Sequence, residues 1–367
     1  MANSLKKIVH ALSKVVIYHS VFENIEEMVL SQVAYNTRGK LIMVIGPTGA
    51  GKTTLIRSLN NKLEKWVEEN PDEGFGSPVV LEAYEPENGE FSWKNFYWAS
   101  LYSPLEEPGM KRKLNIDRAV EDLRQGKKPF SYRTLTVFEL RDLLQEVIEV
   151  KKPIAIFIDE VQALAKAKKQ VRRGDNFDVL KSLSNDVKVP IITVGTYEAR
   201  KMLYASGQGA RRVSLAHMHR YKLSDIDGEF TDIVNMFCDD FGLPLSVEAR
   251  QNIDYLYDHT LGCVGILSDW FSNAAKMAIE RKSRVISHHL LDETRLENIQ
   301  LATIGREIHA FESEHSSEGD FDSLAFFKSL DCANDDHYSK KPVTKKNKVR
   351  RKPGVRKPHR DRVGNAR

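Results

Sequence analysis

A short apolar run, Leu41-Ile-Met-Val-Ile45, leads straight into Gly46-Pro-Thr-Gly-Ala-Gly-Lys-Thr53. The run is β-branched and apolar throughout, as in a strand buried on both faces of a parallel sheet. The residues after it complete the pattern GxxxxGK[ST], in which each residue type has a task. Glycines let consecutive backbone N–H groups turn toward one centre, the lysine reaches β- and γ-phosphate oxygens, and the final hydroxyl faces a magnesium ion. Beyond the loop, Leu55, Leu59, Leu63 and Trp66 recur at three- and four-residue spacing. An amphipathic helix therefore starts at the loop and aims the positive end of its dipole at bound phosphate. Strand, cradle and helix in that order predict an α/β P-loop domain with a parallel sheet that binds ATP and Mg²⁺. The expected ligands are Gly46, Pro47, Thr48, Gly49, Ala50, Gly51, Lys52, Thr53 and Thr54, with Thr53 also on the metal.

Hydrolysis needs carboxylates facing the same phosphates. Ile154-Ala-Ile-Phe-Ile158 ends in Asp159-Glu160 and supplies them from a second buried strand. Asp159 is expected to hold Mg²⁺, and Glu160 to orient and activate the attacking water. Ahead of that strand, Thr136-Val-Phe-Glu139 has the capping-box pattern, and Leu140, Leu143, Leu144 and Val147 continue as a helical stripe. A third strand, Pro190-Ile-Ile-Thr-Val194, ends in Gly195-Thr196, so Thr196, or else Thr193, is a candidate sensor of the γ-phosphate or the lytic water. Arg211 and Arg212 follow on a loop, ahead of an extended stretch around residues 219–223. One of them is expected to act as an arginine finger, stabilising transition-state charge in a neighbouring subunit. Such a residue is useful only in trans, so a homo-oligomer is implied.

The composition, 41% hydrophobic and 29% charged, suits a chain that buries a core and stays soluble. Neither a run of about 18 apolar residues nor a secretory h-region is present, which points away from membranes and toward the cytoplasm. Cys238, Cys263 and Cys332 are too few and too scattered for a disulfide framework. The net charge of +4 hides a division. Residues 340–367 carry 13 Lys and Arg against one acid, Asp361, so the rest of the chain, with 42 basic and 50 acidic residues, is negative by eight. With three prolines and few apolar residues, that tail is expected to be disordered and suited to phosphate backbones. Two internal clusters, Lys111-Arg112-Lys113 and the set Lys166, Lys168, Lys169, Arg172 and Arg173, are candidate contacts to double-stranded DNA. His217, His219, His288 and His289 lack a third metal ligand at suitable spacing and read as structural. No nucleophile triad or carboxylate pair suggests strand cleavage.

After Asp225 the pattern becomes helical, with Phe230, Ile233, Val234 and Phe237 on one stripe, a Ser246 cap, and a long helix from about residue 264 to 279. This predicts a small helical lid. Residues 1–39 read as helix and loop against the nucleotide domain, with Val33 and Tyr35 as candidates for the adenine pocket. Residues 296–339 are mixed, and the apolar stretch 321–330 suits a docking peptide or a short packed helix.

Taken in order, the P-loop, the Ile-Phe-Ile-Asp-Glu strand, the Val-Gly-Thr strand end and the arginine pair resemble the AAA+ ATPases. More narrowly, the chain resembles the TnsC/TniB transposition regulators of CRISPR-associated transposons. That likeness rests on Glu82-Ala-Tyr-Glu-Pro86, Gly89-Glu-Phe-Ser-Trp-Lys-Asn-Phe-Tyr97, Ile158-Asp-Glu-Val-Gln162 and Val194-Gly-Thr-Tyr-Glu-Ala199, and covers about residues 20–295. It implies a bacterial, cytoplasmic, ATP-dependent regulator that forms a ring (hexamer or heptamer) or a helical filament on target DNA. It also implies that the assembly links target selectors, TniQ-like proteins or a CRISPR effector, to transposase subunits. The chain departs from AAA+ lids at Thr260-Leu-Gly-Cys-Val-Gly-Ile-Leu-Ser-Asp269, which lacks the sensor-2 arginine they often carry there. The expected organisation is an ATP-binding domain with an N-terminal extension over residues 1–225, a lid over 226–295, a linker or docking segment over 296–339, and the tail. Two other readings stand beside this one. They are a DNA ATPase of the origin-recognition or helicase-loading kind, and an ATP-gated scaffold with negligible turnover.

Overall fold

Five segments rich in apolar residues pair side by side, all parallel. They are β1 (Leu41–Ile45), β2 (Val79–Glu82), β3 (Ile156–Asp159), β4 (Ile191–Gly195) and β5 (Val213–His217), in the order β2-β3-β4-β1-β5. These belong to a computed structural model that describes residues 16–35, 40–83, 91–102, 135–166, 173–203 and 213–316. The register brings Ile45 level with Gly195 on one side and with His217 on the other, so the carboxyl ends of β1, β4 and β5 share one edge.

Alternation along each strand divides the interior into two layers. Ile42 and Val44 face α1 (Ser20–Ala34) and α2 (Lys52–Glu69), while Leu41, Met43 and Ile45 face the opposite layer. That second layer holds α3 (Trp93–Tyr102), α4 (Val137–Lys151) and α5 (Arg173–Val187); a short helix, α6 (Arg200–Leu203), follows β4. The capping box forms as expected: Thr136 Oγ1 accepts from the Glu139 N–H at 3.2 Å, and the Thr136 N–H donates to Glu139 Oε2 at 2.7 Å.

After β5 the chain is helical: α7 (Thr231–Asp239), α8 (Val247–Gln251), α9 (Ile253–Asp258), α10 (Val264–Glu280), α11 (His288–Thr294) and α12 (Asn298–Ser316). Phe230, Phe237, Leu267 and Phe271 belong to the same apolar cluster as Ile42 and Val44, so the lid shares a core with one face of the sheet. Two compact units are defined, residues 1–313 and 314–367; of the second, only the end of α12 is described.

Three strand positions differ from expectation. β3 begins at Ile156, two residues later than the apolar run at Ile154, and Pro153 before it is held in an isolated bridge to Gly76. β4 begins after Pro190, which has no N–H to give the ladder. The terminal strand is Val213–His217 rather than the stretch around 219–223. It lies at the sheet edge, where Ser214 and a half-exposed Leu215 break the apolar run that marks the inner strands.

Candidate nucleotide site

Connections from the carboxyl ends of β1 and β4 leave in opposite directions, toward β2 on one side and β5 on the other. Such a reversal opens a crevice above the two strand ends, where ligands of parallel sheets bind. The loop Gly46–Gly51 occupies it. Gly49 (φ 79°) and Gly51 (φ 95°) adopt left-handed conformations, and α2 starts directly after them with its N-terminus facing the crevice. Leu55, Leu59 and Leu63 are buried as the stripe requires, while Trp66 lies at the rim, tilted against Phe75.

Lys52 Nζ lies over the loop and donates to the Gly46 and Pro47 carbonyls at 3.1 and 2.7 Å. Its burial pushes the ammonium pKa down, against the pull of the Glu160 and Asp159 charges. Thr53 Oγ1 donates to Asp159 Oδ2 at 3.2 Å, and the Glu160 N–H donates to Asp159 Oδ1 at 2.8 Å. Burial is the largest influence on Asp159 and raises its pKa; the Glu160 charge adds to this, and the two hydrogen bonds oppose it. The lysine and Asp159 are thus half-buried, and a hydroxyl meets a carboxylate. That oxygen pair fits Mg²⁺, a hard cation bound through one or two protein oxygens and the nucleotide phosphates. Thr53 and Asp159 are the residues that would hold it, and its charge would screen the acids and phosphates from one another.

At the end of β4, the Thr196 N–H donates to Gln162 Oε1 at 3.0 Å, while Gln162 Nε2 donates to the Glu160 carboxylate. Gly195 O accepts from the Gly46 N–H at 3.2 Å and joins β4 to the P-loop. Of the two candidate sensors, only Thr196 faces this edge. Thr193 is fully buried, and its hydroxyl donates to Ile42 O at 3.2 Å. Arg211, Arg212, Lys111, Arg112, Lys113, Lys168, Lys169 and Arg172 lie outside the described residues, and of Lys166 and Arg173 only the backbone is described.

The lid closes the other side of the loop. The first turn of α10 carries no arginine, in keeping with the departure noted in the sequence; instead Gly265 sits against the P-loop, and the Ile266 N–H donates to Gly49 O at 3.2 Å. Between α10 and the N-terminal segment lies a pocket lined by Ile17, His19, Phe22, Ala50, Gly51, Thr54, Val264, Gly265 and Ser268. Val33 is in the core and Tyr35 is exposed, so neither of these adenine-pocket candidates reaches it. His19 Nδ1 lies 2.9 Å from the Tyr221 hydroxyl, and burial brings its pKa down to about 4. His217 pairs with the Tyr197 hydroxyl at 3.0 Å.

The strand order, the loop and the acidic strand end together define an AAA+ P-loop fold. A protein-family model described as an AAA domain matches residues 36–203, and such a domain implies nucleotide binding, usually with Mg²⁺. Comparison with curated protein sequences finds no match. Among solved structures, the Aeropyrum pernix ORC1 protein in complex with DNA is similar, with 14% identity, a TM-score of 0.54, and 78% of this chain and 67% of that chain covered. The Aeropyrum pernix ORC2 protein, solved as ADPNP-ADP complexes, gives 13% identity, a TM-score of 0.47, and coverage of 75% and 67%. Domain III from the Thermotoga maritima replication initiation protein DnaA gives 14%, 0.43, 77% and 95%. At 14% identity the likeness to the ORC1 protein is one of fold. No described helix is long and apolar enough to cross a membrane.

Proposed function

We propose that this protein is an ATP-hydrolysing assembly factor that binds ATP with Mg²⁺, oligomerises on double-stranded DNA, and regulates transposition by linking target selectors to a transposase. The observation that carries the ATPase part is the convergence of Lys52, Thr53, Asp159 and Glu160 on one crevice beside Thr196. In this reading the P-loop amides and Lys52 hold the phosphates, and Thr53 and Asp159 anchor the metal. Glu160 takes a proton from the attacking water, Thr196 reports on the γ-phosphate edge, and Arg211 or Arg212 acts from a neighbour. DNA contact is supported by the basic clusters around residues 111–113 and 166–173 and by the tail. The transposition role rests on the motif likeness to TnsC/TniB proteins.

One observation favours a second reading: the fold likeness to an ORC1 protein that was solved in complex with DNA. An origin-type ATPase would engage a defined duplex site, whereas a target regulator coats duplex of any sequence.

The experiment is steady-state ATP turnover with and without duplex DNA, with nucleotide affinity measured separately. Lys52→Ala is expected to lose nucleotide-dependent assembly, and Glu160→Gln to retain ATP while losing turnover. A parent protein that binds ATP but does not hydrolyse it on any duplex would overturn the ATPase in favour of the gated scaffold. Uniform binding to unrelated duplexes, with altered insertion sites in a reconstituted reaction lacking Glu160, is the outcome expected of a target regulator; tight preference for one sequence would favour the origin-type reading.

A further inference from the structure

We infer that Gln162 is a positioning residue for hydrolysis, holding the Glu160 carboxylate against the end of β4 and tying it to Thr196. The inference rests on the ATPase reading above and adds a residue to it. Gln162 sits in the short helical turn Val161–Lys166 that follows the acidic strand, and Val161 beside it is fully buried and anchors that turn. The orientation of its amide follows from its partners. The Thr196 N–H is a donor, so Gln162 must present Oε1 to it, and the NH₂ end is left facing Glu160.

The fit around the amide is tight. A Cβ on Gly195 would lie 2.6 Å from Gln162 Oε1 and 2.8 Å from Val161 Cγ1, so a side chain there would displace the Gln162 amide or the buried Val161. Glu160 itself has a left-handed backbone, φ 57°, which is uncommon for a residue with a side chain and turns the chain sharply after Asp159. Beyond that turn, the Glu160 carboxylate accepts from the Gln162 amide. On the other side of Gly195, its carbonyl takes the Gly46 N–H. Glu160, Gln162, the β4 end and the first residue of the P-loop therefore form one connected path.

The chemical consequence concerns orientation. A general base must aim one oxygen at water. An amide donor on the carboxylate fixes its rotamer and leaves the carboxylate's remaining acceptor positions for the water. Supporting groups of this kind typically change rates by about 10–100-fold when removed, as groups hydrogen-bonded to metal ligands do.

The test uses the full chain with duplex DNA and compares Gln162→Ala, Gln162→Asn and Gln162→Glu with the parent for kcat, KM, fluorescent-nucleotide affinity and melting temperature. Gln162→Ala is expected to lower kcat by about 10–100-fold, with ATP affinity and KM near those of the parent. Gln162→Asn, too short to span both partners, should fall with it. Gln162→Glu still accepts from the Thr196 N–H, so the fold is kept, but it sets a second carboxylate against Glu160. With an acceptor in place of the donor, the Glu160 carboxylate loses its support, and kcat is expected to fall as in Gln162→Ala while ATP affinity, KM and melting temperature stay near those of the parent. A purely structural role would lower melting temperature or ATP affinity together with kcat. An unchanged or faster Gln162→Ala, or a Gln162→Glu kcat matching the parent, overturns the inference while leaving the ATPase standing. A parent without turnover overturns both.

Discussion

At the level of single residues, the lid meets the P-loop at a position that tolerates no side chain. A Cβ on Gly265 would lie 2.4 Å from Gly49 O and 3.2 Å from Gly51 N, both backbone atoms that cannot swing aside. Gly265→Ala is therefore expected to push α10 off the loop, at a cost of about 1–3 kcal/mol. Nucleotide affinity should drop by about tenfold or more, read from titration with a fluorescent nucleotide; unchanged affinity would show that the lid contact does not shape the loop. His19 gives a pH-dependent counterpart. Burial lowers its pKa from 6.5 to about 4, the Glu229 charge opposes this, and the His219 charge adds to it. Because the folded-state value is depressed, the stability tied to the neutral ring is present above pH 6.5 and is lost as pH falls through about 4. One pKa unit corresponds to about 1.4 kcal/mol, so the loss approaches about 3 kcal/mol across that window. His19→Gln, which retains a polar partner for Tyr221, should flatten this part of a urea-stability curve measured against pH. Lys52, Thr53, Asp159 and Glu160 were legible in the sequence because a local pattern places them on a strand end and a helix start. His19, Gln162 and Gly265 were not, since their roles come from contacts with Tyr221, Thr196 and Gly49, none of which any periodicity announces.

Among the elements, α12 shows how a weak signal becomes a structural part. Leu301, Ile304, Ile308 and Phe311 recur at three- and four-residue spacing, but polar residues dilute the stripe, and the segment reads as mixed from sequence. In the fold, Ile308 and Phe311 are buried against the carboxyl edge of the sheet, and the Phe311 ring stacks on Tyr197 with centroids 3.7 Å apart. Arg220 pins the same helix through two hydrogen bonds to Glu312, both 2.9 Å, while also reaching the Tyr257 hydroxyl at 2.7 Å. One guanidinium thus joins the segment after β5, the lid and α12. Phe311→Ala removes a buried aromatic ring and should cost about 3–5 kcal/mol if α12 holds its place around the cavity. Thermal melting together with proteolysis is the check, and an unshifted melt with rapid cleavage in α12 would mean that the helix contributes little to the core. The inner strands were legible from their unbroken apolar runs. β5 was not, because an edge strand needs only one buried face and its alternation resembles a loop with scattered apolar residues.

Across the whole molecule, charge is divided by position along the chain. The first 339 residues carry a net charge of −8 and the last 28 a net charge of +12. In the proposed DNA-binding reading, an acidic body would repel a phosphate backbone except where basic clusters offset it, and the tail would be the largest single source of attraction. Each neutralised phosphate contributes about 0.9 to the slope of log affinity against log salt, so if half of the 13 tail cations reach phosphates, they supply a slope of about 5 or 6. Truncation after Ser339 should therefore make the salt dependence of duplex binding much shallower and weaken binding most at low ionic strength. The remaining slope reports on the body, including the clusters at residues 111–113 and 166–173. ATP turnover measured in the absence of DNA should be unchanged, because the P-loop, the strand ends and the lid contacts that build the nucleotide site are supplied by residues 17–268. Isothermal binding to one duplex over a range of salt concentrations separates the contributions. A truncated protein with the parent's slope would place all phosphate contacts on the body and reassign the tail to an acidic protein partner, to which its net charge of +12 is equally suited.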